Sequence, residues 1–122
     1  MIPAALIGLA LVMPMAALAQ PTGNVAEADA AVVRALDRMS GELTEYEMAV
    51  GETITHGPLF VTLTQCRYPE DNPSGDAYGH LIIQDSRAED PSFSGWMVAS
   101  SPALNPLDHM RYDVWLIRCK TS

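Results

Sequence analysis

Positive charge is scarce in this sequence. Seven Lys and Arg face 15 Asp and Glu over 122 residues, for a formal net charge of −8. Phosphate recognition needs clustered Lys and Arg, so the balance argues against a nucleic-acid partner. It equally disfavours attachment to anionic lipid. Histidine is limited to His56, His80 and His109, and no H-x-H, H-x-x-x-H or H-E-x-x-H spacing joins them, so no metal motif is present. Cysteine is limited to Cys66 and Cys119. That leaves no C-x-x-C redox pair and no four-ligand zinc set. There is no G-x-S-x-G nucleophile elbow, no internal repeat and no low-complexity tract.

Charge is also missing from a whole segment: Met1 to Ala19 has no charged side chain. Its apolar stretch, Ala4 to Val12, is too short to span a bilayer, which takes ~20 residues. Pro14 follows, then Ala17-Leu18-Ala19, an A-x-A pattern that places a cleavage site before Gln20. The expectation is a signal peptide over 1–19, an exported chain, and no integral membrane anchor after cleavage. Export puts the two cysteines in an oxidising compartment, where a Cys66–Cys119 disulfide is the default.

What remains reads as strands. Gln20 to Ala30 is small and polar and is expected to be a flexible leader. Ala30 to Met39 is ambiguous: Val32, Ala35, Leu36 and Met39 have helical spacing, yet the β-branched Val32 and Val33 favour strand–turn–strand with the next segment. There Thr44, Tyr46, Met48 and Val50 alternate with Glu45 and Glu47. Thr53 to Thr55 is a short extended piece. In Leu59 to Cys66, Leu59, Val61 and Leu63 take one face, while Phe60, Thr62, Thr64 and Cys66 take the other. Ala77 to Gln84 forms a further strand. Phe93 to Val98 is another, expected to break or bulge at Gly95. Tyr112 to Cys119 closes the chain, with Val114 and Leu116 opposed to Trp115 and Ile117. The loops at Tyr68 to Asp76 and Asp85 to Pro91 are acidic, and Ser100 to Met110 is irregular around Pro102 and Pro106. Turns every 8–12 residues indicate an all-β fold, a small single-domain β-sandwich or barrel over 31–122.

Catalytic parts are few. His109 follows Asp108 and lies near Ser100 and Ser101, so a small hydrolase with a Ser–His–Asp set is one alternative. Calcium in the acidic loops is weaker, because no D-x-D-x-D-G loop is present. The two tryptophans, Trp96 and Trp115, are expected to anchor the core. The alternative is that one faces outward with Tyr112 or Phe93 as a binding patch. Phe93 to Pro106 has no charged residue at all. Phe93, Trp96, Met97, Ser100, Ser101, Pro102, Leu104 and Tyr112 therefore make the candidate interaction surface. No cofactor is indicated.

The block FSGWMVASSPALNPLDHMRYDVWLIRCK, with VVRALDRMSGELTEYEMAVGETITHGPLFVTLTQC before it, resembles a family of small exported alphaproteobacterial proteins, the domain of unknown function 2155 family. The resemblance spans about Ala31 to Lys120. Arg38 and Met39-Ser40 stand where that family has Lys and a Thr-like residue, and Met110 stands where it often has Pro. It implies a β-rich, disulfide-linked periplasmic domain and carries no activity across. It further implies, at most, an accessory subunit on the periplasmic face of a respiratory complex. The reading that follows is a non-catalytic binding or accessory domain of a cell-envelope assembly, docked on an envelope protein.

Overall fold

Alternation of apolar and polar side chains builds nearly the whole chain into strands, because β-branched and aromatic residues fit a half-buried pleated surface. The computed structural model describes residues 24–121. The expected signal peptide and the first residues of the expected leader lie outside these. Eight strands follow in order: β1 Val25–Ala28, β2 Ala30–Asp37, β3 Leu43–Ala49, β4 Thr53–His56, β5 Leu59–Pro69, β6 Tyr78–Asp85, β7 Phe93–Val98 and β8 Tyr112–Lys120. A short 3-10 turn, Pro102–Leu104, interrupts the last loop.

All pairings are antiparallel. One sheet has five strands in the order β1-β5-β6-β7, with β4 beside β1 on the same edge of β5; the other has three, in the order β3-β2-β8. The sheets pack face to face. Between them lie Ala31, Val33 and Ala35 of β2, Met48 of β3, Leu59, Val61 and Leu63 of β5, Leu81 and Ile83 of β6, and Val114 and Leu116 of β8, all essentially inaccessible.

The ambiguous Ala30–Met39 segment is the strand β2, central in its sheet, with a turn at Arg38–Ser40 leading to β3. Two expectations need correction. The leader is not all flexible: Val25–Ala28 forms β1 against Cys66–Pro69 of β5. Its pairing depends on a strand some forty residues away, which local composition does not reveal. Nor does Gly95 interrupt β7, which stays in register with β6 from Phe93 to Val98.

The cysteines are joined, with Cα atoms 5.8 Å apart, so one covalent bond links the two sheets. Simple alternation would not permit this. It places Cys66 with Phe60 and Thr62, and Cys119 with Trp115, on the two outer faces. Each strand escapes through an irregularity in its ladder. In β5 it falls between Leu63 and Gln65. In β8 the extra residue is Ile117, because Leu116 pairs Val33 while Arg118 pairs Val32. An extra residue inverts the side-chain alternation beyond it. Cys66 and Cys119 thus turn inward, three positions after the buried Leu63 and Leu116.

Gly57, between β4 and β5, has φ +57°, and a Cβ there would lie 2.6 Å from the Tyr112 hydroxyl. Only glycine admits both the backbone conformation and the ring. Gly57→Ala should destabilise the chain by about 1–2 kcal/mol from the left-handed backbone alone, read in a denaturant titration. Replacing both cysteines by alanine should cost about 4 kcal/mol, the closure entropy of a loop this long. An unchanged denaturation midpoint would show that the bridge contributes nothing to stability.

Candidate functional site

The expected hydrolase set is not assembled. His109 Nε2 lies 2.9 Å from Asp85 Oδ2. Its Nδ1 accepts backbone N–H bonds from Arg111 at 3.0 Å and Tyr112 at 3.1 Å. An Nδ1 that accepts leaves the proton on Nε2, which therefore donates to Asp85. No ring nitrogen is left to act as a base. Asp108, expected to orient the imidazole, does not; Asp85, 24 residues upstream, takes that place. Ser100 is engaged elsewhere: its hydroxyl donates to Asp76 Oδ2 at 2.6 Å and its amide to Asp76 Oδ1 at 3.0 Å.

This end of the sandwich is instead tied by two arginine forks. Arg87 Nε and Nη2 grip the carboxylate of Asp85 at 3.0 and 2.8 Å. Arg111 Nε and Nη2 grip that of Asp37 at 3.1 and 2.9 Å. Asp37 and Asp85 are the only buried charged residues among those described. Arg87, then His109 and the Arg87 amide, hold the Asp85 carboxyl well below the usual carboxylate range. Arg111 does the same for Asp37, helped by the amides of Met39 and Ser40. A depression of about 510 Å³ over Met39, Arg87, His109, Met110 and Arg111 lies above these pairs. Arg87, His109 and Arg111 are already committed to Asp85 and Asp37, which makes this a structural knot joining the β2–β3 turn, the β6–β7 loop and the approach to β8, with Asp108 at its rim.

Among the described residues no group of three or more His, Cys, Asp or Glu converges in the acidic loops. Asp76 is committed to Ser100: burial works against its anion, but the Ser100 hydroxyl and the amides of Ala77 and Ser100 outweigh burial and lower its pKa.

The candidate interaction surface divides. Phe93, Met97 and Tyr112 are buried and belong to the core, which corrects their expected exposure. Alternation along β7 puts Phe93 and Met97 on the inner face and Trp96 on the outer one. Trp96 is 38 % exposed, with the Arg67 guanidinium 5.3 Å over its ring and His80 against it edge-on. Trp115 is half-buried on the outer face of the other sheet, paired with Arg34. Neither tryptophan is the core anchor expected. Ser100, Pro102 and Leu104 are exposed and Ser101 half-exposed, with Leu104 at 73 %.

The uncharged loop does form one concave feature. Pro102, Ala103 and Pro106 face Asp113, Val114 and Trp115 of β8 across a mostly apolar groove of about 350 Å³. Three consecutive residues of one strand can line one groove only along the strand's edge, because successive side chains point to opposite faces. β8 is an edge strand, hydrogen-bonded on one side to β2 and, among the described residues, to no strand on the other. On the neighbouring edge strand, β7, the Asn105 side-chain amide donates to the Trp96 carbonyl at 3.0 Å.

The depressed carboxyls give an acid signature. A lowered folded-state pKa contributes stability above the unfolded value of ~3.9 and loses it as pH falls below that. Asp37→Asn and Asp85→Asn should therefore lower Tm at pH 7 and shrink the fall in Tm between pH 5 and pH 2. Equal acid slopes in variant and parent melts would rule this out.

Residues 31–119 match the family described as uncharacterized protein conserved in bacteria (DUF2155). The chain is 30% identical over 88 residues to Uncharacterized protein RP359 of Rickettsia prowazekii (strain Madrid E), covering 70% of this chain and 57% of that one. It thus spans less than two thirds of that relative's length. No solved structure matches significantly. With nearly the whole described sandwich inside the matched region, the chain belongs to the DUF2155 family of uncharacterized proteins conserved in bacteria.

Proposed function

We propose that this chain is an exported, disulfide-stapled binding domain of the cell envelope that works by docking rather than by catalysis. The observation that carries the reading is the groove between the Pro102–Pro106 loop and β8. It is mostly apolar, it borders a strand edge that is unpaired among the described residues, and its loop wall belongs to the longest uncharged stretch of an acidic mature region. Interfaces are depleted of charge at their centre, and proline-rich walls lose little entropy on binding. The periplasm is supported by the inter-sheet disulfide, which needs an oxidising compartment, and by the signal-like segment 1–19. An unknown envelope protein is the partner this reading requires. The complete use of both His109 nitrogens and of the Ser100 hydroxyl counts against the hydrolase alternative.

Two measurements test the proposal together. Osmotic shock should release a chain that begins at Gln20 and has both thiols resistant to alkylation. Crosslinking in the intact envelope should join it to another protein. A chain retained in the cytosol with two free thiols would overturn the assignment.

A further inference from the structure

From the β8 edge we infer that the partner is an extended polypeptide segment that adds a strand beside β8, with an apolar side chain in the Pro102–Pro106 groove and a carboxylate facing Arg118. The inference rests on the binding-domain reading and names the chemistry of its partner.

Three observations converge. The first is backbone supply. Strand β8 runs from Tyr112 to Lys120 with β2 on one side and, among the described residues, no strand on the other, so its outward N–H and C=O groups form a template for one more strand. The second is the groove, which sits on that edge at Asp113–Trp115 and can seat the side chain of an added strand. The third is charge. Six of the seven Lys and Arg have a carboxylate partner: Arg34 with Glu45, Arg38 with Asp113, Arg67 with Glu27, Arg87 with Asp85, Arg111 with Asp37, and Lys120 with Glu47. Arg118 alone has none among the described residues, although carboxylates outnumber cations two to one. It is exposed and stands on β8 itself, opposite Val32 and beyond the Ile117 bulge.

The other edge of the same sheet does not offer this. β3 carries no Lys or Arg to meet a carboxylate, and its Glu45 and Glu47 are already paired with Arg34 and Lys120. A second copy of this chain fits less well than a separate partner. The only carboxylate on its own β8 is Asp113, already paired with Arg38.

The test pans the oxidised chain against a phage-displayed library of random short peptides, then measures binding and amide hydrogen exchange with the selected peptide. Enriched peptides should alternate apolar and polar residues and carry an acidic residue. Binding should slow exchange of the β8 amides that point away from β2. Ala103→Trp, which fills the groove, should abolish binding. Arg118→Glu should weaken it by about tenfold or more. Leu43→Ser on the β3 edge should leave it unchanged. Thermal melts of the three variants confirm that each is folded.

Enrichment insensitive to both β8-side variants, protection on β3 instead of β8, or no enrichment would overturn strand addition. Self-association that protects β8 without peptide would overturn it too, in favour of a second copy. Crosslinks from Trp96 to an envelope protein, with none from Ala103, would keep the binding-domain reading while removing this mode of docking.

Discussion

One covalent bond across the sandwich governs the rest of the structure. The Cys66–Cys119 bridge joins the middle of the five-stranded sheet to the edge strand of the three-stranded one. To reach inward, both strands must break their own alternation, and each does so within a Leu-x-x-Cys segment. Everything beyond those points is re-aimed. Past the bulge in β5, Gln65 and Arg67 turn outward, which brings Arg67 over Trp96. Past the bulge in β8, Arg118 and Lys120 turn outward, where Lys120 meets Glu47. The disulfide therefore also sets which charges line the surface.

At the other end, ionic groups do what the bridge cannot. Buried carboxylates are tolerated only when paired and hydrogen-bonded. Asp37 and Asp85 each receive an arginine fork and backbone amides. His109 then fastens the long loop to Asp85 and to the start of β8. Loop closure here consumes the imidazole, which is why proximity of Ser, Asp and His in sequence came to nothing as chemistry.

Much of the fold was legible because period-two patterning is local. The strands at Leu59, Phe93 and Tyr112 stand where alternation put them, and the Val32–Val33 pair correctly outweighed the helical spacing of Leu36 and Met39. Three things were not legible, for physical reasons. Alternation fixes relative faces only, so it does not tell that the core, rather than the surface, claims Phe93, Met97 and Tyr112. A bulge leaves only an offset of three between inward residues, Leu63–Cys66 and Leu116–Cys119, and which residues face inward is fixed by packing between the sheets. Long-range partners such as Asp85 for His109, or β5 for β1, leave no local trace. The uncharged Phe93–Pro106 stretch did point to the groove's loop wall, while the β8 edge opposite it needed three dimensions.

The three-stranded sheet has unequal edges. β3 carries Glu45 and Glu47, each paired across the sheet, while β8 is, among the described residues, unpaired on its outer side and flanked by the groove. A chain with two open edges can be extended from both sides, and copies of it would stack into fibres of indefinite length. A strand seated on β8 would remove one of the two edges such stacking needs, so the docking inferred above would also cap head-to-tail growth of copies of the chain.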